Sequence, residues 1–128
     1  ERRRHNFDRL HKALECVSDK LILPEPAKNS TPSWFGFLIT CKEGTSKNTV
    51  VQYCEDHGVQ TRMLFAGNIT KQPVFNEMRK SGKGYRVIGD LSVTDSIMND
   101  TFWIAVYPGM TDEMIDYMAT TIIEAVNL

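Results

Sequence analysis

The chain has 128 residues, 41% of them hydrophobic, enough for one packed core and a single domain spanning residues 1–128. Fifteen basic against sixteen acidic side chains leave it close to neutral, which excludes the strong field expected of a nucleic-acid or anionic-membrane partner. No apolar run reaches the roughly 18 residues of a membrane-spanning helix. Three cysteines at wide spacing, Cys16, Cys41 and Cys54, argue against a disulfide framework or a Cys-x-x-Cys metal site and point to a reducing, cytoplasmic setting.

The chain starts Glu1-Arg2-Arg3-Arg4, without an initiator methionine or a signal pattern, as expected of a piece of a longer protein. Phe7, Leu10, Leu14, Val17 and Leu21 recur at three- and four-residue steps, predicting a leading amphipathic helix within residues 1–23. Pro24-Glu25-Pro26 stops it, and Asn29 to Ser33 continues as an irregular connection. The sheet and remaining helices are expected over 33–128, starting with a strand from Trp34 to Cys41.

Ser46 suits the cap of a second helix, with Val50, Val51 and Cys54 on one face and Gly58 as a left-handed terminator. Val59 to Phe65 reads as the next strand. Asn76 to Gly84 is polar with two glycines and reads as a mobile loop, followed by a short extended piece at Tyr85–Gly89. Thr94-Asp95 offers a cap for a short helix through Asn99, and Phe102 to Tyr107 is strongly β-prone. Thr111-Asp112-Glu113 opens the last helix, where Met114, Met118, Ile122 and Val126 step by four. Three strands with intervening helices give a two-layer α+β domain, a small sheet with helices on one face.

Among residues able to carry chemistry, Arg62 stands out, because a guanidinium on a strand entering a loop can hold an anion or hydroxyl through two parallel hydrogen bonds; a surface ion pair is the competing reading. Asn68 and Gln72 follow within ten residues, and amides that donate and accept suit sugar hydroxyls, although loop amides also satisfy turns. Trp34, Phe35 and Phe37 surround Gly36; strand alternation sends Phe35 and Phe37 to one face and Trp34 to the other, to pack the core or to meet a flat ligand. His5, His11 and His57 lack zinc spacing, and His57 suits the end of a helix. No Gly-x-Gly-x-x-Gly or Walker-type loop is present.

The stretch from Gly58 to Pro73, with Trp34-Phe35-Gly36-Phe37 upstream and Thr101 to Gly109 downstream, resembles the C-terminal small domain of the sugar-nucleotide aminotransferase family of fold-type I pyridoxal phosphate (PLP) enzymes. Within that family, Ser33-Trp34-Phe35-Gly36-Phe37, Arg62 to Asn68, Gln72-Pro73 and Ile97-Met98-Asn99 look most like the CDP-4-keto-6-deoxyglucose 3-dehydrases of lipopolysaccharide biosynthesis.

The resemblance implies a short, mainly antiparallel sheet and a domain that closes over cofactor and CDP-sugar, with Ser33, Trp34, Phe35, Phe37, Arg62, Asn68 and Gln72 facing the cleft. Such dehydrases use PLP in its pyridoxamine phosphate (PMP) form to remove the sugar 3-hydroxyl, with a histidine where relatives keep a lysine. A [2Fe-2S] cluster then passes electrons from a partner reductase. Both cofactors belong mainly to the large domain of a homodimeric enzyme, so no catalytic residue, metal or cofactor is expected in these 128 residues and the fragment alone is expected to be inactive. An aminotransferase small domain and a free-standing binding module are the alternatives. The former would carry its lysine upstream, and the latter would bury its own apolar surface.

Overall fold

The computed structural model describes residues 1–128 and has four strands in the spatial order β1-β2-β4-β3, every neighbouring pair antiparallel. They are β1 (Leu21–Ile22), β2 (Gly36–Cys41), β3 (Thr61–Met63) and β4 (Thr101–Ala105). Five helices join them: α1 (Arg2–Leu14), α2 (Lys47–Asp56), α3 (Asn76–Ser81), α4 (Ser92–Asp100) and α5 (Asp112–Ala125).

Alternation along the two central strands sets the layers. Phe37, Ile39 and Cys41 of β2 and Phe102 and Ile104 of β4 point to one face and are buried, together with Val106 just beyond β4. Against that face pack Phe7, Leu10 and Leu14 of α1, Val50 and Cys54 of α2, and Ile115, Met118, Ala119, Ile122 and Ala125 of α5. Outward from the same strands point Leu38 and Thr40 of β2 and Thr101 and Trp103 of β4. In the same cross-strand row as Leu38 and Trp103 lies Arg62 of β3.

Several local signals act as read. Ser46 Oγ accepts from the Thr49 amide at 3.3 Å and Thr111 Oγ1 from the Met114 amide at 3.3 Å, each capping its helix. Gly58 sits at φ +74° just after α2, a conformation glycine adopts without steric cost. At the end of that helix the His57 ring bonds the Tyr53 carbonyl at 2.8 Å and stacks on the Tyr53 ring.

Other readings need correction. The leading helix stops at Leu14, and Leu21 belongs to a strand beyond the three expected, β1. A 3₁₀ turn at Glu15–Val17 redirects the chain, and Lys20 Nζ then donates to the Val126 carbonyl at 2.8 Å, placing a cation at the end of α5. Asn76–Ser81 forms a short helix, ended by Gly82 at φ +66°, and Tyr85–Gly89 is not a strand. The fourth helix starts at Ser92, whose amide donates to Asp90 Oδ1 at 3.0 Å, so Thr94 is not its cap.

In α5 Met114 is exposed. Met118, Ile122 and Val126 of the 114-118-122-126 stripe are buried, and because a step of four residues overshoots a turn by about 40° the core-facing set also takes in Ile115, Ala119 and Ala125. Phe35 and Phe37 do not share a face: Phe37 is buried beside Phe7, ring centroids 4.7 Å apart, whereas Phe35 is 64% exposed. Regular alternation begins only at Gly36, so the ring of Phe35 crosses to the outer side and meets Trp103 edge-on at 5.6 Å. Gly36 permits this, since a Cβ there would lie 2.8 Å from Trp103 Cε3. Trp34 goes the other way and packs on Phe7 at 5.0 Å.

Candidate functional site

The outer face of the sheet is the place where the sequence-selected residues can meet a ligand. At one end α4 rests against β2 and β4, and the Thr40 and Thr101 hydroxyls bond across the strands at 2.8 Å. Towards the other end the face is open, and Trp34, Phe35, Leu38, Leu64, Phe65 and Trp103 line an apolar slot of about 120 Å³.

Arg62 lies exposed on this face. Its Nη1 donates to the Thr61 carbonyl at 3.0 Å, and the Gln60 amide, turned so that its oxygen faces the guanidinium, accepts from Nη1 and Nη2 at 3.1 and 3.0 Å. Arg62 has no partner among the ion pairs of the chain. The nearby Glu55 carboxylate is committed elsewhere: its Oε1 accepts from Thr61 Oγ1 and the Thr61 amide, both at 2.6 Å. Those two bonds, ahead of the Arg62 charge, hold Glu55 below its ordinary pKa. The guanidinium therefore keeps donors available to an incoming anion.

The two amides are placed differently from the sequence expectation. Asn68 is 3% exposed, and its Oδ1 accepts from the Thr70 amide at 3.1 Å and Thr70 Oγ1 at 2.7 Å. Its Nδ2 donates to Asp95 Oδ1 of α4 at 2.7 Å, and Lys71 pairs with the other Asp95 oxygen at 2.8 Å. Lys71 and Asn68 together hold the Asp95 carboxyl below its ordinary value. Gln72 Nε2 donates to the Ala66 carbonyl at 2.7 Å. Both side chains build the 65–72 loop, and the Asn68 amide is closed to sugar hydroxyls. Ser33 is exposed, its carbonyl accepting from Arg3 Nη1 at 3.4 Å, while Arg4 holds the Thr31 and Pro32 carbonyls. Phe37, inside the core, cannot line the slot.

Sequence reasoning missed Trp103, Phe65, Asp95 and Asn6. Outward alternation along 101, 103 and 105 would have found Trp103. Nothing local marks Asp95, which acts on a loop 27 residues upstream. Asn6, fully buried in α1, donates to the Tyr107 and Met110 carbonyls at 2.9 and 3.2 Å and fixes the turn into α5. A separate groove of about 520 Å³ between the β3 and β4 ends and α5 is lined by Met110, Met114, Met118, Tyr107 and Tyr117. It brings no set of convergent polar groups.

The thiols do not gather. Burial pushes Cys41 and Cys54 up to about 11, Cys16 is exposed on another element, and no group of three or more His, Cys, Asp or Glu side chains could hold a metal ion. These residues do not fit a [2Fe-2S] cluster, which needs four ligands.

The sequence matches the DegT/DnrJ/EryC1/StrS aminotransferase family over residues 1–123. The chain belongs to that family. It is 45% identical over 122 residues to the lipopolysaccharide biosynthesis protein RfbH of Salmonella typhimurium, covering 94% of this chain and 27% of that protein. To a dTDP-4-dehydro-2,6-dideoxy-D-glucose 3-dehydratase of Saccharopolyspora spinosa it is 41% identical over 126 residues, 97% of this chain and 26% of the relative. The chain thus spans about a quarter of the length of these curated relatives.

Among solved structures, the Escherichia coli GDP-4-keto-6-deoxy-D-mannose-3-dehydratase with bound hydrated PLP superposes with a TM-score of 0.74 at 18% identity, over 94% of this chain and 30% of that one. The aminotransferase TlmJ from Streptoalloteichus hindustanus gives 0.78 at 17% identity, over 98% and 31%. These likenesses, at 18% and 17% identity, establish the fold.

Proposed function

We propose that these residues form the small domain of a PMP-dependent dehydrase that removes the C3 hydroxyl of CDP-4-keto-6-deoxyglucose in making the 3,6-dideoxyhexoses of lipopolysaccharide O-antigen, and that the open sheet face closes over cofactor and substrate. The observation that carries the site reading is the pairing of a guanidinium without a carboxylate partner, Arg62, with a carbon-lined slot on the same uncovered face. Kinship with a lipopolysaccharide biosynthesis protein and with a sugar-nucleotide 3-dehydratase, at 45% and 41% identity, supports the reaction class.

The face fits one wall of a cofactor cleft. It offers a cation and flat apolar side chains, while its nearby lysines are engaged: Lys71 pairs with Asp95 at 2.8 Å and Lys47 Nζ donates to the Met98 carbonyl at 2.6 Å. PMP, when bound, supplies an electron sink for loss of the 3-hydroxyl. Arg62 binds and orients an anionic group of the ligand through two donors. Trp103, directly across the ladder from Arg62, shields one side of that contact from water and so strengthens it. The base, the [2Fe-2S] cluster, the homodimer contacts and the site for a partner reductase are assigned to the other three quarters of the protein.

The test is product analysis. Full-length protein with PMP, CDP-4-keto-6-deoxyglucose and a reductant is expected to yield a product lacking one oxygen, with no amino donor required. An amino sugar formed only when glutamate is supplied would replace the proposal with an aminotransferase.

A further inference from the structure

Phe65 is the most exposed of the large hydrophobic side chains, at 86%, and its backbone lies at φ +50°. A bulky L-residue in the left-handed region is strained and persists only where its surroundings impose that conformation. Here they do. The Phe65 amide bonds back to the Met63 carbonyl at 2.8 Å, and Gln72 ties the Ala66 carbonyl. Gly67, at φ +62°, lies so close to Met98 of α4 that any Cβ would collide with it. Asn68 is clasped by Asp95, itself fixed by Lys71. The loop is thus anchored on α4 through Gly67, Asn68 and Lys71 and tied within itself by Gln72, while the ring it presents is left largely uncovered.

Beside that ring lies the apolar slot of about 120 Å³. Cavities of about 150 Å³ lined by apolar side chains accept benzene, so the size suits a six-membered ring, and the carbon lining offers nothing to a phosphate or a sugar hydroxyl.

We propose that Phe65 is a stacking residue for a flat six-membered heteroaromatic ring, with Asp95 as its positioning residue acting through Asn68. The proposal rests on the cleft reading given above and adds to it the chemistry of the group that the open face receives. Two parts of such a complex carry that chemistry, the pyrimidine of the sugar nucleotide and the pyridine of the cofactor.

Direct binding separates the two. Full-length protein is titrated with cytidine diphosphate, followed by calorimetry, and with pyridoxal phosphate, followed by its absorbance. Phe65→Ala is expected to weaken one of these probes about tenfold, the scale of a base–aromatic stack, and the affected probe names the ring. Asp95→Ala weakens the same probe, and the exchanged pair Asn68→Asp with Asp95→Asn, which keeps the hydrogen bond with its polarity reversed, restores it.

Phe65→Gly is expected to raise the thermal midpoint by relieving strain while weakening binding. A purely structural residue would lose both together. Unchanged binding of both probes by Phe65→Ala, or a lower midpoint in Phe65→Gly, overturns the proposal. Arg62→Ala in the same titrations keeps the two readings apart. If it weakens these phosphate-bearing probes while Phe65→Ala does not, the cleft stands and the stacking role falls; if neither variant has an effect, both fall.

Discussion

Replacing Arg62 by alanine separates a ligand-binding arginine from a structural one. In the folded chain its guanidinium touches only the Thr61 carbonyl and the Gln60 amide, both adjacent in sequence, on an exposed part of β3 with no ion pair to break. Loss of such surface contacts changes stability by no more than about 0.5 kcal/mol. If the same group holds an anion of the ligand, hydrogen bonding to a charge is worth about 1.5–3 kcal/mol. At about 1.4 kcal/mol per tenfold, Arg62→Ala should weaken the CDP-sugar roughly 10- to 150-fold. Arg62→Lys keeps the charge but loses the fork and should fall between. Calorimetric titration of the full-length protein, run beside urea unfolding, measures both quantities. A variant whose affinity stays within a factor of two, or whose unfolding midpoint drops with its affinity, would refute the argument from an uncommitted guanidinium.

Three further outcomes follow from the scaffold. Asn6→Ala should cost only about 1–2 kcal/mol, because the Met110 carbonyl keeps Arg2 and the Tyr107 carbonyl keeps the Met110 amide; Asn6→Asp, which turns a buried carboxylate onto both carbonyls, should cost more, and urea midpoints in the reverse order would count against the assignment. Brief alkylation of the native protein at pH 8 should label Cys16 while sparing Cys41 and Cys54, whose thiols are pushed up to about 11, whereas all three react after unfolding, as read by peptide mass. Asp112 and Asp116 are held below the ordinary carboxylate value of 3.8, chiefly by Arg2 and Arg9 respectively. Because the folded values are the lower ones, their contribution is complete above about 3.8 and is lost as pH falls through the lowered range. Asp112→Asn should therefore flatten the acid limb of a stability–pH curve, and an unchanged limb would show that the α1–α5 pairs add nothing.

What the sequence discloses here depends on how far each residue's partner lies along the chain. The caps at Ser46 and Thr111 and the turn at Gly58 were legible because donor, acceptor and backbone conformation sit within four residues. The inward rows of β2 and β4 were legible as strongly β-prone runs. By contrast the pull of Lys20 on the α5 terminus, which accompanies the early end of α1, spans 106 residues and leaves no local mark. The same distance rule explains the site. Arg62 could be singled out because a guanidinium on a strand entering a loop is placed to hold an anion, and in the fold it forms no ion pair. Asn68 looked equally available, yet Asp95, 27 residues on, takes its donor, and Thr70 takes its acceptor. Polar residue type alone therefore cannot tell a ligand contact from a loop brace. The discriminating quantity is what remains uncommitted once the chain has folded, and on the open face that is the charge of Arg62, which has no carboxylate partner, and the ring of Phe65.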